Sequence, residues 1–407
     1  MSDATFFAPH DDAADASRLL ARIGSVALAI GVPAAAGLGA GAVEIVFAIG
    51  VGLLASAQAL DPPGGFFGRF KSMRGSIATA AWVAVFVWAT ISLLWTPFPG
   101  LGLRRLATLV AIALPTGFVV LAGRPHTRAA DLYLFPIGVV VAVAVALAIA
   151  AAGLQGWTVD EDASTNLSLA VVVMVFPAMA ACAARGRNGL ARALVILALV
   201  FTRIAGPPAN SAALLAGFAA FSFALSDARR TARELGRLAA LLALAAPLAP
   251  ILAPLFVRPI AHVDLASLPP PGPSLAAAAD VIWREPLRLV TGHGVEAAVR
   301  ALKGGVLPPD APRSLIFEIW YDLGLVGAAV AAFALWRSFE AINEASPRMQ
   351  PYFTATLVTI VTLAFTSTGW MNVPWMILSA LAIIAADRAA RGQYRTLRPS
   401  ASGLAHF

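Results

Sequence analysis

The sequence predicts an all-α, polytopic membrane protein with about twelve transmembrane helices and one long polar segment between two of them. Hydrophobic residues make up 59% of the 407 residues and charged residues only 13%, whereas roughly a quarter of a soluble domain is charged. The mean hydropathy is +0.80. The basic residues lie in short segments between apolar runs, as membrane topology requires.

Composition argues against several other classes of protein. The net charge of +7 does not gather on one motif, so nucleic-acid binding is not expected. The single cysteine, Cys182, excludes an intrachain disulfide. The sequence contains neither a metal-ligand spacing of Cys and His nor a phosphate-binding glycine motif. We therefore expect no metal and no cofactor.

Apolar runs of about 20 residues, the length that crosses a bilayer, recur along the chain. The polar and Gly/Pro-rich stretches between them divide the chain into twelve predicted spans, at 23–41, 42–60, 76–95, 101–122, 132–152, 165–183, 190–205, 211–226, 238–257, 314–336, 352–367 and 373–389.

These spans define the predicted domain organisation. Residues 1–22 form an N-terminal tail, 23–257 hold spans one to nine, and 258–313 form a polar loop with amphipathic helices. Residues 314–389 hold spans ten to twelve, and 390–407 form the C-terminal tail.

Basic residues set the predicted orientation, since they accumulate on the cytoplasmic side. With the N-terminus inside, 20 of the 29 Lys and Arg residues are cytoplasmic, and six of the other nine lie in the long loop. Both termini are therefore predicted to be cytoplasmic and the loop to lie on the outer side, which is the periplasm if the cell is a Gram-negative bacterium.

Several arginines lie on the outer face against this bias. Guanidinium groups bind phosphate oxygens in pairs, although snorkelling to lipid headgroups would also explain each one. We predict that they bind phosphate groups at the membrane surface, and the candidates are Arg104, Arg105, Arg203, Arg258, Arg284, Arg288 and Arg313.

The long loop carries a candidate base. Residues 274–290 have the pattern of an amphipathic helix, and 295–303 are predicted to be helical. Between them, Gly292 and Gly294 permit unusual backbone angles around His293. An imidazole changes charge near neutral pH, so His293 is a candidate general base or phosphate contact. An ordinary loop histidine is the alternative explanation, and it is the more common case.

The helix after the loop begins with two acids, Glu318 and Asp322. Their i, i+4 spacing puts them on one face, and carboxylates entering a span usually face the protein interior. We expect them to join the site, paired with Arg313 or Arg203. Favourable interaction with the helix dipole is the alternative explanation.

Four stretches together resemble the bacterial O-antigen ligase and polysaccharide polymerase family. RSLIFEIWYDLGLVG (313–327) is similar to the family's helix after the large periplasmic loop, which ends in acid-Leu-Gly-Leu-x-Gly. ISLLWTPFPGLGLRRLATL (91–109) is similar to its Trp-Ser, Pro, Leu-Arg-Arg stretch. EPLRLVTGHGVEAA (285–298) resembles its Pro-Leu-x-Gly-x-Gly stretch, and NLSLAVVVMVFPAMA (166–180) a span with Asn near its start and Pro near its end.

The resemblance implies an inverting, metal-independent glycan transferase in the inner membrane. Its donor would be a glycan on undecaprenyl diphosphate, and its acceptor a lipid A core sugar for a ligase or another glycan for a polymerase. The catalytic set would be His293, Arg313, Glu318 and Asp322, with the other outward arginines holding the diphosphate.

The chain departs from the family pattern where the family has a His-Asn pair, because Arg313 and Ser314 stand there. The family's Ser-Arg pair corresponds either to Thr202-Arg203 or to Ala209-Asn210. Two other functions therefore stay open: a secondary transporter, and a non-catalytic member of the ligase family.

The first testable prediction concerns topology. Alkaline phosphatase fused after Asp280 should be active, because the charge distribution places that residue in the periplasm. Fusions after Arg233 or Arg395 should be inactive. Activity of either of these two fusions would contradict the orientation and the periplasmic position of the loop.

Overall fold

The computed structural model describes residues 12–60, 76–121, 129–154, 161–246, 287–307, 313–366 and 372–392. These residues are helical with short turns and contain no β-strand. The helices are α1 (Asp12–Val26), α2 (Val32–Ala35), α3 (Ala40–Leu60), α4 (Ile77–Ile91), α5 (Pro99–Leu121), α6 (Ala129–Leu132), α7 (Leu134–Leu154), α8 (Glu161–Ala184), α9 (Asn188–Ala205), α10 (Pro208–Ser226), α11 (Ala228–Ala245), α12 (Arg288–Thr291), α13 (Ala297–Lys303), α14 (Leu315–Ala341), α15 (Gln350–Thr366) and α16 (Val373–Ala390).

Within this described part, ten helices are long and apolar enough to cross a membrane. They are Ala13–Leu38, Ala40–Leu60, Ile77–Leu94, Pro99–Leu121, Ala130–Gly153, Asp162–Ala184, Asn188–Ala205, Pro208–Ser226, Leu315–Glu344 and Val373–Ala390. The all-α, membrane-spanning class predicted from composition is confirmed.

Two of the twelve predicted spans are not among these ten. The first part of predicted span 238–257 lies in α11, which begins with a strongly charged, amphipathic half, and its residues from 247 on lie outside the described part. Predicted span 352–367 corresponds to α15, whose 17 residues fall short of the usual length of about 20. The count of twelve stays a prediction.

The chain forms two compact units. The first comprises Met1–Phe70, Leu114–Gly206 and Met376–Phe407, and the second comprises Lys71–Ala113 and Pro207–Trp375. The first unit is built around α8, which is apolar on all sides and almost wholly buried, as expected of a central helix. Helices α7 and α9 pack directly against it.

Small residues let the helices of the first unit approach closely. A Cβ on Gly50 in α3 would lie 2.7 Å from Leu28, and a Cβ on Gly138 in α7 would overlap the Ala29 carbonyl oxygen. Ala29 belongs to a π-helical turn, Ala27–Gly31, that follows α1.

Helix α14 is the centre of the second unit. Helices α4, α11, α12 and α13 all pack against it. Its contact with α4 is a layer of small and branched residues that includes Ala81, Val85 and Ala331, and its contact with α11 includes Ala239 and Phe339. The unit therefore holds the two short helices of the long loop against its central helix.

The second testable prediction uses two glycines of the first unit. Gly138→Ala should lower the thermal unfolding midpoint of the detergent-solubilised protein by at least about 3 °C, because overpacking typically costs about 1–3 kcal/mol. A backbone carbonyl cannot move aside by changing rotamer. Gly52→Ala in α3 is the control, since its added Cβ meets no atom within 4 Å. Equal midpoints for the two variants would contradict the close packing.

Candidate functional site

The central helix of the second unit is interrupted at Gly324. Its backbone there has φ 66° and ψ −165°, far from helical values, while the residues on both sides are helical. A regular α-helix pairs each carbonyl with the N–H four residues later. A break therefore leaves the carbonyls of the preceding turn to other donors.

Three consecutive carbonyls before the break accept hydrogen bonds from outside the helix. The backbone N–H of His293 donates to Tyr321 at 2.9 Å, and that of Gly294 donates to Asp322 at 2.8 Å. The indole Nε1 of Trp88 in α4 donates to the third carbonyl, that of Leu323, at 3.0 Å. The loop before α13 is thus bonded directly to the interrupted helix.

Glycines make this contact possible. Gly292 has φ 72°, and a Cβ there would overlap the carbonyl of Asp322. Gly294 has φ 90°, and a Cβ there would overlap Thr96. The unusual backbone angles that the sequence predicted around His293 are confirmed, and so is most of the helix predicted at 295–303, which is observed as α13.

The Asp322 carboxylate binds the start of α13. One oxygen accepts the N–H of Ala298 at 2.8 Å, and the other accepts the N–H of Glu296 at 3.1 Å. The side chain is only 1% exposed. The first turn of a helix offers unpaired N–H groups and a favourable dipole to a nearby carboxylate, which explains the position of Asp322. The expected pairing of the two acids with Arg313 or Arg203 stays a prediction.

The loop also bonds to the segment that leads into α5, the helix that contains Arg104 and Arg105. The hydroxyl of Thr96 donates to the carbonyl of Val295 at 2.9 Å, and the N–H of Val295 donates to the hydroxyl of Ser92 at 3.3 Å. Gly102 in the first turns of α5 also lies against Val295. The stretch 91–109 therefore contacts the loop directly.

His293 is held by both its backbone and its ring. Its Nδ1 lies 3.1 Å from the Tyr321 carbonyl oxygen, and its ring stacks on the Tyr321 ring with centroids 4.2 Å apart. A carbonyl only accepts hydrogen bonds, so Nδ1 carries the proton and the lone pair of the neutral ring is on Nε2. This tautomer is the one that a base acting through Nε2 requires.

An ion pair that the sequence analysis missed joins α5 to the loop. Nη2 of Arg105 lies 3.5 Å from Oε1 of Glu296, and the two side chains are 10% and 7% exposed. Glu296 has φ 73°, and it is the one non-glycine residue with positive φ among the described residues. Its sequence signal, an acid two residues after Gly-His-Gly, looks like that of any acid at a helix start.

The remaining predicted site residues in the second unit differ in their burial and in their distance from this contact. Glu318 is buried one turn before Asp322, and the two lie close enough to interact electrostatically. Arg313 is exposed just before α14, whose first turn is capped by the hydroxyl of Ser314. Arg104 is exposed beside Arg105, and Arg288 is half-buried in α12.

Three predicted residues lie elsewhere. Arg203 is exposed in the last turn of α9, in the first unit. Arg258 and Arg284 lie outside the described residues, as does most of the predicted amphipathic helix 274–290. Among the described residues, no group of three or more His, Cys, Asp or Glu side chains is arranged to hold a metal ion.

Comparison with family models, with curated protein sequences and with solved structures finds no significant match to this chain.

The third testable prediction separates close contact from backbone strain. Gly292→Ala should destabilise the protein far more than Gly305→Ala, measured as thermal unfolding and as proteolysis of the 287–307 segment. Both glycines have positive φ, but only at Gly292 does an added Cβ strike another backbone, whereas at Gly305 it meets nothing within 4 Å. The control variant should lose only about 1–2 kcal/mol. Equal losses would contradict the bonding of the loop to α14.

Proposed function

We propose that the protein transfers a glycan from an undecaprenyl-diphosphate donor to a hydroxyl of a lipid A core sugar or of another glycan. The reaction would take place at the periplasmic face of a bacterial inner membrane, with both termini in the cytoplasm. The ten described helices that are long and apolar enough to cross a membrane fit a membrane protein of this kind. The activity would be that of an O-antigen ligase or a polysaccharide polymerase.

One observation carries this proposal: three of the four stretches that resemble the ligase family meet in one place. Thr96 and Val295 bond across a separation of 199 residues, and Asp322 and Glu296 across 26. Each stretch alone is short and degenerate. Their convergence around His293 supports the view that they form one site and are not three unrelated similarities.

In the proposed step, the acceptor hydroxyl gives its proton to Nε2 of His293 and its oxygen bonds to the anomeric carbon of the donor. The bond from that carbon to the diphosphate oxygen breaks at the same time, and the lipid diphosphate leaves with the electron pair. Arginines stabilise the charge that develops on it. We assign this role to Arg104, Arg105 and Arg313, joined by Arg258, Arg284 and Arg288.

The departure from the family pattern affects the two positions differently. Ser314 can cap the start of α14 as an Asn would, since Asn and Ser are both strong N-cap residues. The Ser314 hydroxyl accepts the N–H of Phe317. Arg313 cannot act as a base, because its guanidinium stays protonated. It can still bind a phosphate oxygen pair, so the base would come from His293 or Glu318, since both oxygens of Asp322 already accept backbone N–H groups.

A transporter is the second candidate function, and the break in α14 is the observation that favours it. Transporters bind substrates where spanning helices are interrupted, and Gly324 interrupts α14 next to two buried carboxylates. Against this, both oxygens of Asp322 and the three carbonyls before the break already accept hydrogen bonds from the protein. We therefore favour the transferase.

The fourth testable prediction concerns transfer by purified variants. His293→Ala should lower turnover by ~100- to 10,000-fold, the usual contribution of a general base, with the donor still bound. Arg313→Ala should weaken donor binding, whereas Arg313→His should retain transfer. The measurement is glycan transfer from a lipid-diphosphate donor, with donor binding measured separately.

Arg229→Ala is the control, because Arg229 is an exposed arginine on α11 that the charge pattern places on the cytoplasmic side. Full activity of His293→Ala would remove that residue from the mechanism. No transfer by the unmodified protein across a panel of donors and acceptors would favour the non-catalytic function, and substrate uptake into vesicles would favour the transporter.

A further inference from the structure

We infer that Glu296 pairs with Arg105 at the position where a ligand would bind, and that a diphosphate group displaces the Glu296 carboxylate when it binds Arg105. Glu296 would then be a built-in competitor that keeps the site closed until the ligand arrives. This inference deepens the proposed function and rests on it, because the proposed donor supplies the diphosphate.

Burial and charge at the pair lead to this exchange. The Arg105 and Glu296 side chains are 10% and 7% exposed, and a guanidinium withdrawn from water needs a countercharge. A second anion brought to Arg105 would lie beside the Glu296 carboxylate, whose Oε1 is 3.5 Å from Nη2 of Arg105. Like charges in such a place repel strongly. An anion can therefore bind only if the Glu296 carboxylate moves away.

The contact between the two side chains is weak enough to be exchanged. Nη2 and Oε1 are 3.5 Å apart, whereas a strong charge-assisted hydrogen bond measures about 2.7–2.9 Å and a guanidinium often forms two in parallel. A diphosphate has more charge than a carboxylate, and its oxygens match the guanidinium fork.

The fold does not need this ion pair. The backbone of the loop is held by other groups: Thr96 and Ser92 bind Val295, the Asp322 carboxylate binds the N–H of Glu296, and the Asp322 carbonyl binds Gly294. None of these bonds involves the Glu296 side chain. The carboxylate can leave Arg105 without releasing the loop from α14.

The backbone at Glu296 has a left-handed conformation that favours glycine. The other positive-φ residues in the described part of the chain are glycines, at positions 39, 186, 292, 294, 305 and 324. A glycine at 296 would adopt φ 73° without strain. The chain nevertheless has a glutamate there, and the interaction that this side chain makes is the one with Arg105.

The experiment measures diphosphate binding by the full-length protein in lipid nanodiscs. The probes are inorganic pyrophosphate and undecaprenyl diphosphate, and phosphatidylglycerol nanodiscs serve as the phospholipid comparison. Glu296→Gln should bind both diphosphates about ten-fold more tightly than the unmodified protein, which corresponds to an ion pair closed for about 90% of the time. Arg105→Gln should bind them at least about ten-fold more weakly.

Glu234→Gln is the matched control. Glu234 also pairs with an arginine, Arg237, at 3.1 Å, but both side chains are more than half exposed, so its affinity for the probes should not change. Glu296→Gly provides a second test that also relieves the positive φ. It should bind the diphosphates as tightly as Glu296→Gln, which guards against failure of one variant to fold.

Equal or weaker binding by both Glu296 variants would overturn the inference, as would unchanged binding by Arg105→Gln or tightening toward phosphatidylglycerol alone. The outcome is separable from that of the proposed function. Tightening in a protein that transfers no glycan would contradict the transferase and leave the diphosphate site. Transfer by the unmodified protein without tightening in the variants would contradict only the role of Glu296.

Discussion

The second unit depends on one constraint: the backbone groups freed by the break at Gly324 must find partners inside the protein. A spanning helix has no water with which to pair them, and each unpaired group costs several kcal/mol. Trp88 from α4 and the glycine loop before α13 supply the donors. The break therefore attaches the end of the long polar loop to the membrane-embedded part of the unit, and it brings His293 to the face of α14.

Asp322 extends the same logic to a buried carboxyl group. A carboxylate that is 1% exposed is tolerated only when it is well paired, and the N–H groups at the start of α13 pair both of its oxygens. Its role in the fold is therefore to hold α13 on α14. The Glu296 side chain pairs instead with a charged group on another helix, Arg105, and an ion pair of this kind can be exchanged for a ligand.

Two adjacent arginines of the predicted site have different surroundings in the structure. Arg104 and Arg105 are adjacent in sequence, yet one is exposed and the other forms a nearly buried pair. Adjacent residues on a helix point about 100° apart, so only one of the two can face the loop. The left-handed backbone of Glu296 costs about 1–2 kcal/mol, and the residue that carries this cost is the one whose side chain faces Arg105.

Composition and the spacing of apolar runs were enough to predict a helical membrane protein, because a span must be about 20 apolar residues long whatever surrounds it. Gly292, Gly294 and the shared face of Glu318 and Asp322 were also readable, since backbone freedom and helical periodicity are local properties. The partners of these residues were not. Three sets of contacts join positions far apart in the chain: the bonds to the carbonyls before Gly324, the bonds of Asp322 to Glu296 and Ala298, and the pair between Arg105 and Glu296. Only tertiary packing decides which donor meets which acceptor.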